Sequence, residues 1–102
     1  MPFTVSMVFA KKGLMRYISH LDLMRLFGRA LRRSEIPFDV SKGFSKHPKI
    51  VIKRALKLGL ESESEEAEFI LRKDVPLEEF KERLQKELPE GISIRQINEL
   101  KR

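Results

Sequence analysis

The chain has 102 residues, with 21 lysines and arginines against 15 acidic residues, and its net charge is +6. This length predicts a single domain over residues 1–102 with a modest core. The absence of cysteine excludes disulfides, cysteine zinc sites and an iron–sulfur cluster held by this chain. No apolar run approaches the roughly 20 residues that span a bilayer, and no secretory signal is evident, so we expect a cytoplasmic protein.

The charge is unevenly distributed along the chain. Residues 1–57 carry 13 lysines and arginines against 3 acidic residues, whereas residues 58–102 carry 8 against 12. Such segregation is typical of a basic face that binds phosphate or an acidic partner. The alternative is that the acidic half neutralises the basic half across the folded surface.

The chain begins with a predicted strand. From Phe3 to Phe9 large apolar side chains occupy every second position, which indicates a strand with one strongly apolar face. Ser19 followed by Asp22 resembles a capping box, so a helix should begin there. Pro37 prevents that helix from continuing.

The predicted helix is amphipathic. Between Leu23 and Leu31 the apolar residues cluster on one side, at about 100° per residue. Arg25, Arg29 and Arg32 follow one another at i, i+4 and i+7 on the opposite side. We call these three residues the arginine ridge, and we expect the ridge to face solvent.

The middle of the chain is predicted to form a loop and two strands. Residues 37–48 contain two prolines and a glycine and should form an ordered loop with room for a short strand at 38–40. Residues 50–52 and 66–73 are predicted strands, separated by a loop or wide turn at 56–64.

A second helix should begin near Pro76 and end at Pro89. The last strand begins at Ile92, and Ile97 falls on the wrong parity, which a bulge or an early strand end would explain. The order β-α-β-β-α-β predicts an α+β, ferredoxin-like fold: a four-stranded antiparallel sheet with two helices on one face.

Both histidines lie in the two most distinctive runs of the sequence, residues 19–33 and 41–49. His20 is at the predicted helix start and falls by phase near the apolar side. One interpretation is a structural residue that hydrogen-bonds a loop. The other is a ligand-facing imidazole that transfers protons at the positive end of the helix.

The second run is a loop rich in cations. Pro48 restricts its neighbour to extended geometry, and Gly43 permits a positive φ or a close backbone approach. A rigid loop of this kind suits phosphate contact through Lys42, Lys46, His47 and Lys49. The alternative is a tight structural loop with solvated lysines. Phe44 could stack on a base, but filling the core under the loop is the favoured interpretation.

Other catalytic signals are weak. The acidic run from Glu61 to Glu68 lacks the spacing of a calcium loop and is predicted to be a solvated turn, so we expect no metal site. A phosphate-binding Gly-rich loop, a nucleophile elbow and a zinc-protease motif are absent from the sequence. We expect no catalytic residue, with His20 and His47 as the candidates if the chain is an enzyme.

Four segments, residues 13–25, 30–33, 41–50 and 58–63, resemble the radical-SAM-linked domain of unknown function family (DUF2344), over roughly residues 3–100. The resemblance implies association with a radical SAM protein. The family loop usually reads Gly-Phe-Asn-Pro-His-Pro-Lys, and Ser45 and Lys46 depart from it. Many members are about twice this length, so the chain is either a minimal version or a fragment. The family motif residues present are Arg16, Ser19, His20, Asp22, Arg25, Gly43, Phe44, His47, Pro48 and Lys49.

We therefore predict a non-catalytic accessory module that binds RNA, such as tRNA or rRNA, for a radical SAM partner. We expect no cofactor to be bound by this chain. The predicted RNA- or phosphate-binding residues are Arg16, His20, Arg25, Arg29, Arg32, Lys42, Phe44, Lys46, His47 and Lys49.

Two alternatives remain open. In one, the basic face docks on an acidic surface of the radical SAM partner. In the other, the chain is a metal-independent endoribonuclease, in which His20 and His47 share one cationic pocket with Arg16 and Lys49.

Overall fold

The computed structural model describes residues 3–40, 47–53 and 59–100. A short 3₁₀ helix, Gly13–Tyr17, follows the first strand. The strands and helices, in chain order, are β1 Phe3–Lys11, α1 His20–Ser34, β2 Ile50–Ile52, β3 Ser62–Leu71, α2 Leu77–Lys86 and β4 Ile92–Leu100. The predicted order of elements is confirmed. No helix within these ranges is long and apolar enough to cross a membrane.

The sheet has the strand order β2-β3-β1-β4, and every neighbouring pair is antiparallel. This arrangement confirms the predicted ferredoxin-like α+β fold. β1 lies between β3 and β4, and its large apolar side chains at every second position make it the centre of the buried face.

A bulge in β4 explains the wrong parity of Ile97. Val8 of β1 pairs with Gln96, but the next residue, Phe9, pairs with Ile94. Arg95 is therefore the extra residue, and it shifts Ile97 onto the row of Met7. Of the two predicted explanations, a bulge and an early strand end, the bulge is confirmed.

The core is built on a chain of four phenylalanine rings. Phe27 of α1 lies edge-on to Phe9 of β1 and to Phe69 of β3, with ring centroids 5.1 and 5.6 Å apart. Phe69 in turn contacts Phe80 of α2 at 5.6 Å. The predicted core is confirmed, since these residues are fully buried: Phe9, Phe27, Leu31, Phe69, Phe80 and Leu84.

The outer edge of the sheet beside β3 is shared by two segments. Phe38 forms an isolated bridge with Leu71, and Asp39 donates its N–H to the carbonyl of Ile70. The Ile70 N–H donates to the carbonyl of Lys49, where the chain rejoins the edge before β2. The short strand predicted at 38–40 is therefore present as bridges, from Phe38 to Leu71 and from Val40 to Pro48.

Candidate functional site

The arginine ridge lies on the solvent side of α1, as predicted. Ser19 caps the helix, because its Oγ accepts the N–H of Asp22 at 3.1 Å. Arg25, Arg29 and Arg32 are all exposed. The opposite face of α1 packs on the core through Leu23, Phe27 and Leu31. Because this apolar face is buried, the arginine ridge points to solvent.

Few carboxylates compete for the ridge. Arg25 Nη1 lies 3.5 Å from Asp22 Oδ1, an exposed contact within one helical turn. Arg29 and Arg32 form no ion pair with any residue that the structure describes. The neighbouring Arg33 is also exposed. The surface of α1 therefore presents several guanidinium groups that are available to an anion.

Arg16 is held in place by its neighbour. Its guanidinium lies 4.6 Å from the centre of the Tyr17 ring, and Nη2 donates to the Tyr17 hydroxyl at 2.8 Å. Nη1 donates to the carbonyl of Gly13 at 3.4 Å. This stacking was not predicted, although the adjacent Arg16 and Tyr17 in the sequence were the available signal.

Exposed apolar side chains lie on the segments next to this arginine. The 3₁₀ helix is tied to the start of β3 by two hydrogen bonds, from the Gly59 N–H to the Arg16 carbonyl and from the Gly13 N–H to Glu61 Oε2. The segments around these bonds carry large apolar side chains that are about half exposed or more, and we call them the apolar patch: Leu14, Tyr17, Leu21 and Leu60. Patches of this kind are typical of contact surfaces.

Lys49 is paired with an acidic residue. Its Nζ lies 3.3 Å from Asp39 Oδ2, and Asp39 Oδ1 accepts the N–H of Val40 at 2.9 Å. The backbone hydrogen bond from Val40, followed by Lys49 and Arg72, lowers the pKa of Asp39, although desolvation opposes the shift. Asp39 therefore partly neutralises Lys49 as a phosphate ligand.

The rest of the cationic loop is only partly described. The predicted contacts Lys42, Phe44 and Lys46 lie outside the described residues. His47 is exposed, and the Pro48 ring contacts α1 at Gly28. The loop therefore returns to the sheet edge beside the middle of α1.

The segments that carry the two histidines meet α1 at different heights. His20 is its first residue and is exposed, although it lies seven residues before Phe27 and so has the phase of the apolar side, as predicted. Pro48, next to His47, packs on Gly28, which is eight residues or about 12 Å along the helix axis from His20. This placement does not favour the shared pocket of the nuclease alternative.

The acidic run is not a solvated turn. β3 begins at Ser62, inside the predicted turn, and Glu65 and Glu68 within it are buried. A cation just past the end of β2 pairs with the second of these: Lys53 Nζ lies 2.7 Å from Glu68 Oε2. Glu63 Oε1 accepts from Lys12 at 2.8 Å and from Arg95 at 3.1 Å. The bond from Lys12 is the main reason why the pKa of Glu63 is lowered.

The open face of the sheet differs from a base-stacking platform. Cross-strand register places these residues together on the face away from the helices: Thr4, Ser6, Val8, Glu66, Glu68, Ile70, Gln96 and Asn98. The set contains no aromatic side chain. Bases would find no ring to stack on among these eight residues.

A metal centre is likewise not assembled within residues 3–40, 47–53 and 59–100, where no three His, Asp or Glu side chains are placed to hold an ion.

Among curated proteins, no match to the chain was found. A family model described as an uncharacterized protein conserved in bacteria matches residues 5–102. The protein therefore belongs to the DUF2344 family.

Proposed function

We propose that this domain is a non-catalytic module that binds structured RNA, such as tRNA or rRNA, through α1. The observation that carries the proposal is the arginine ridge: three exposed guanidinium groups in a row, of which only Arg25 has an acidic partner within the described residues. RNA binding by such a surface would be dominated by phosphate contacts.

The spacing of the ridge supports phosphate binding. Arg25, Arg29 and Arg32 fall within an arc of about 60° at 100° per residue and extend over about 10 Å of helix. Arginine forks match the geometry of phosphate oxygens and stay charged at all physiological pH values. Arg29 and Arg32 would not have to give up a described carboxylate partner when RNA binds.

The mode of binding follows from the two faces of the domain. The eight residues listed above for the open face of the sheet provide no aromatic side chain on which a base could stack. The exposed face of α1 is therefore the better candidate for the RNA-binding surface. Contacts between arginines and phosphates position RNA without reading its sequence. The proposed module would therefore recognise the shape and charge of a folded RNA and show little preference among sequences.

The proposal includes a radical SAM partner. The family resemblance supports this link, and the chain contains no cysteine with which to hold a cluster. The radical chemistry of tRNA or rRNA modification would belong to that partner, while this domain would hold the substrate.

A docking domain for the radical SAM partner is the second candidate. One observation favours it: the apolar patch of Leu14, Tyr17, Leu21 and Leu60 is exposed and has no function in phosphate binding. Competition by tRNA separates the two candidates, because RNA should displace a partner bound to the ridge and leave a partner bound to the patch in place.

The test of RNA binding is a salt titration. Affinity for unfractionated tRNA would be measured from 50 to about 300 mM KCl for wild type and for the variant Arg25→Ala/Arg29→Ala/Arg32→Ala. We expect weaker binding by the variant and a slope of log K against log salt that is shallower by up to about 2 to 3 units.

A matched variant controls for net charge. Lys73→Ala/Arg83→Ala/Arg95→Ala removes the same three charges from exposed positions outside α1. It should retain the wild-type slope to within about one unit. Equal effects of the two triple variants would show that net charge alone attracts RNA, and an unchanged slope in the ridge variant would remove the ridge from the interface.

A further inference from the structure

A groove of about 470 Å³ lies between the second half of α1 and the end of α2. Arg29 and Arg33 line it from α1, and Lys86 lines it from the last turn of α2. Its apolar lining includes Leu26 and Leu88. The groove thus joins part of the arginine ridge to a second helix that the sequence analysis did not associate with binding.

The charge of the groove favours an anion. Arg29, Arg33 and Lys86 are exposed and form no ion pair with a described residue, and Glu87 is the acidic residue in the lining. The carbonyl end of α2 adds about half a negative charge. Three cations outweigh Glu87 and the helix end together, so the groove remains positive.

The shape of the groove fits a nucleotide strand. Arg29 and Arg33 are one turn apart, about 6 Å along the axis, which is of the order of the separation between consecutive phosphates of an RNA strand. A volume of this size lies in the range of sites that hold one or two small organic groups. The apolar side chains provide a surface for a ribose or a base, which a simple anion would not need.

We propose that this groove binds the RNA backbone, with phosphates on Arg29, Arg33 and Lys86 and a ribose or base against Leu26 and Leu88. The inference rests on the proposed function and extends it, because it makes α2 part of the RNA interface. An acidic protein segment is a weaker fit, since Arg29 belongs to both the groove and the ridge and one continuous RNA strand can occupy both.

The test uses single variants of the two residues that belong to the groove and not to the ridge. Arg33→Ala and Lys86→Ala should each weaken tRNA binding about fivefold and lower the salt slope by about one unit, as expected for one lost charged contact. Glu87→Gln should bind about twofold more tightly. Lys73→Ala, an exposed lysine ahead of α2, is the matched control and should change affinity less than twofold.

The outcomes separate this inference from the proposed function. If wild type does not bind tRNA, both fail. If Arg25→Ala/Arg32→Ala weakens binding while Arg33→Ala and Lys86→Ala behave like the control, the groove is overturned and the ridge stands. If polyglutamate of equal charge binds wild type and loses affinity in Lys86→Ala, while tRNA binds both proteins equally, the occupant is an acidic protein segment and the inference is wrong. Thermal unfolding of each variant, repeated with glutamine at the same positions, checks that affinity changes do not reflect misfolding.

Discussion

Pro48 packs against Gly28, the one glycine of α1. The Cγ of Pro48 lies 3.8 Å from the position that a β-carbon at Gly28 would occupy. This is an ordinary van der Waals distance, so the contact leaves room for a methyl group. It joins the returning end of the cationic loop to the helix that carries the arginine ridge.

Gly28→Ala should therefore stabilise the domain. Alanine favours the helix over glycine by about 1 kcal/mol, and the methyl group fits against Pro48 without a clash. We expect an increase of about 0.5 to 1 kcal/mol in the free energy of unfolding, measured by urea denaturation. Gly28→Leu is the contrasting variant and should destabilise, because it must displace Pro48. A loss of stability in Gly28→Ala would show that the contact is tighter than described.

Gly91→Ala should have the opposite effect. Gly91 has a φ of +100°, and a β-carbon there would lie 2.5 Å from the carbonyl oxygen of Lys12. The backbone at this position cannot move freely, because the Lys12 N–H donates to the Gly91 carbonyl at 2.8 Å. We expect a loss of about 2 kcal/mol or more in urea denaturation. A change below about 0.5 kcal/mol would contradict the close approach of β4 to the end of β1.

Phe27→Ala should cost about 3 kcal/mol or more. The Phe27 ring is fully buried between Phe9 and Phe69, so its removal leaves a cavity that rigid neighbours cannot fill. Denaturant midpoints for this variant and for Leu21→Ala, an exposed apolar residue of the same helix, test the expectation. A loss under about 1 kcal/mol for Phe27→Ala would mean that the helix packs with a different face.

Asp39→Asn should change how stability depends on pH. The hydrogen bond from Val40 and the neighbouring Lys49 lower the pKa of Asp39 in the folded state below its ordinary value of 3.8. The stabilisation is therefore complete above that value and is lost as pH falls through the folded pKa. The asparagine side chain of the variant keeps an acceptor for Val40 but has no charge to lose.

The comparison is made by urea denaturation of both proteins from pH 7 to pH 2.5. Asp39→Asn should be the less stable protein at pH 7. The difference in the free energy of unfolding between the two proteins should shrink as the pH falls and Asp39 of the wild type becomes protonated. A constant difference across this range would show that Asp39 makes no charge-dependent contribution. Glu63, whose pKa is lowered by Lys12, titrates in both proteins and cancels in the comparison.

Local periodicity and strand parity in the sequence predicted much of the fold. The arginine ridge follows from a repeat of 3.6 residues, and the β4 bulge follows from the parity of Ile97. Both features depend on which face of one element is buried, and the distribution of apolar side chains along that element is enough to show it. The ferredoxin-like order followed because each element could be identified separately.

Other features depended on partners far away in the chain. Glu68 was expected in solvent because its neighbours in sequence are acidic, but β3 places it beside Lys53 on the adjacent strand edge. Glu63 likewise contacts Arg95, 32 residues away. A buried carboxylate is stable only when a cation reaches it, and strand register determines which cation does so.

The candidate site divides in the same way. Sequence by itself determined the exposed arginines, because one amphipathic helix suffices to place them. Only the tertiary structure decided that Pro48, next to His47, meets the middle of α1 at Gly28, and that Lys86 of α2 joins Arg29 and Arg33 in one groove. The packing of α1 against α2 and of Pro48 against Gly28 sets these distances, and packing between separate elements leaves no periodic signal in the chain.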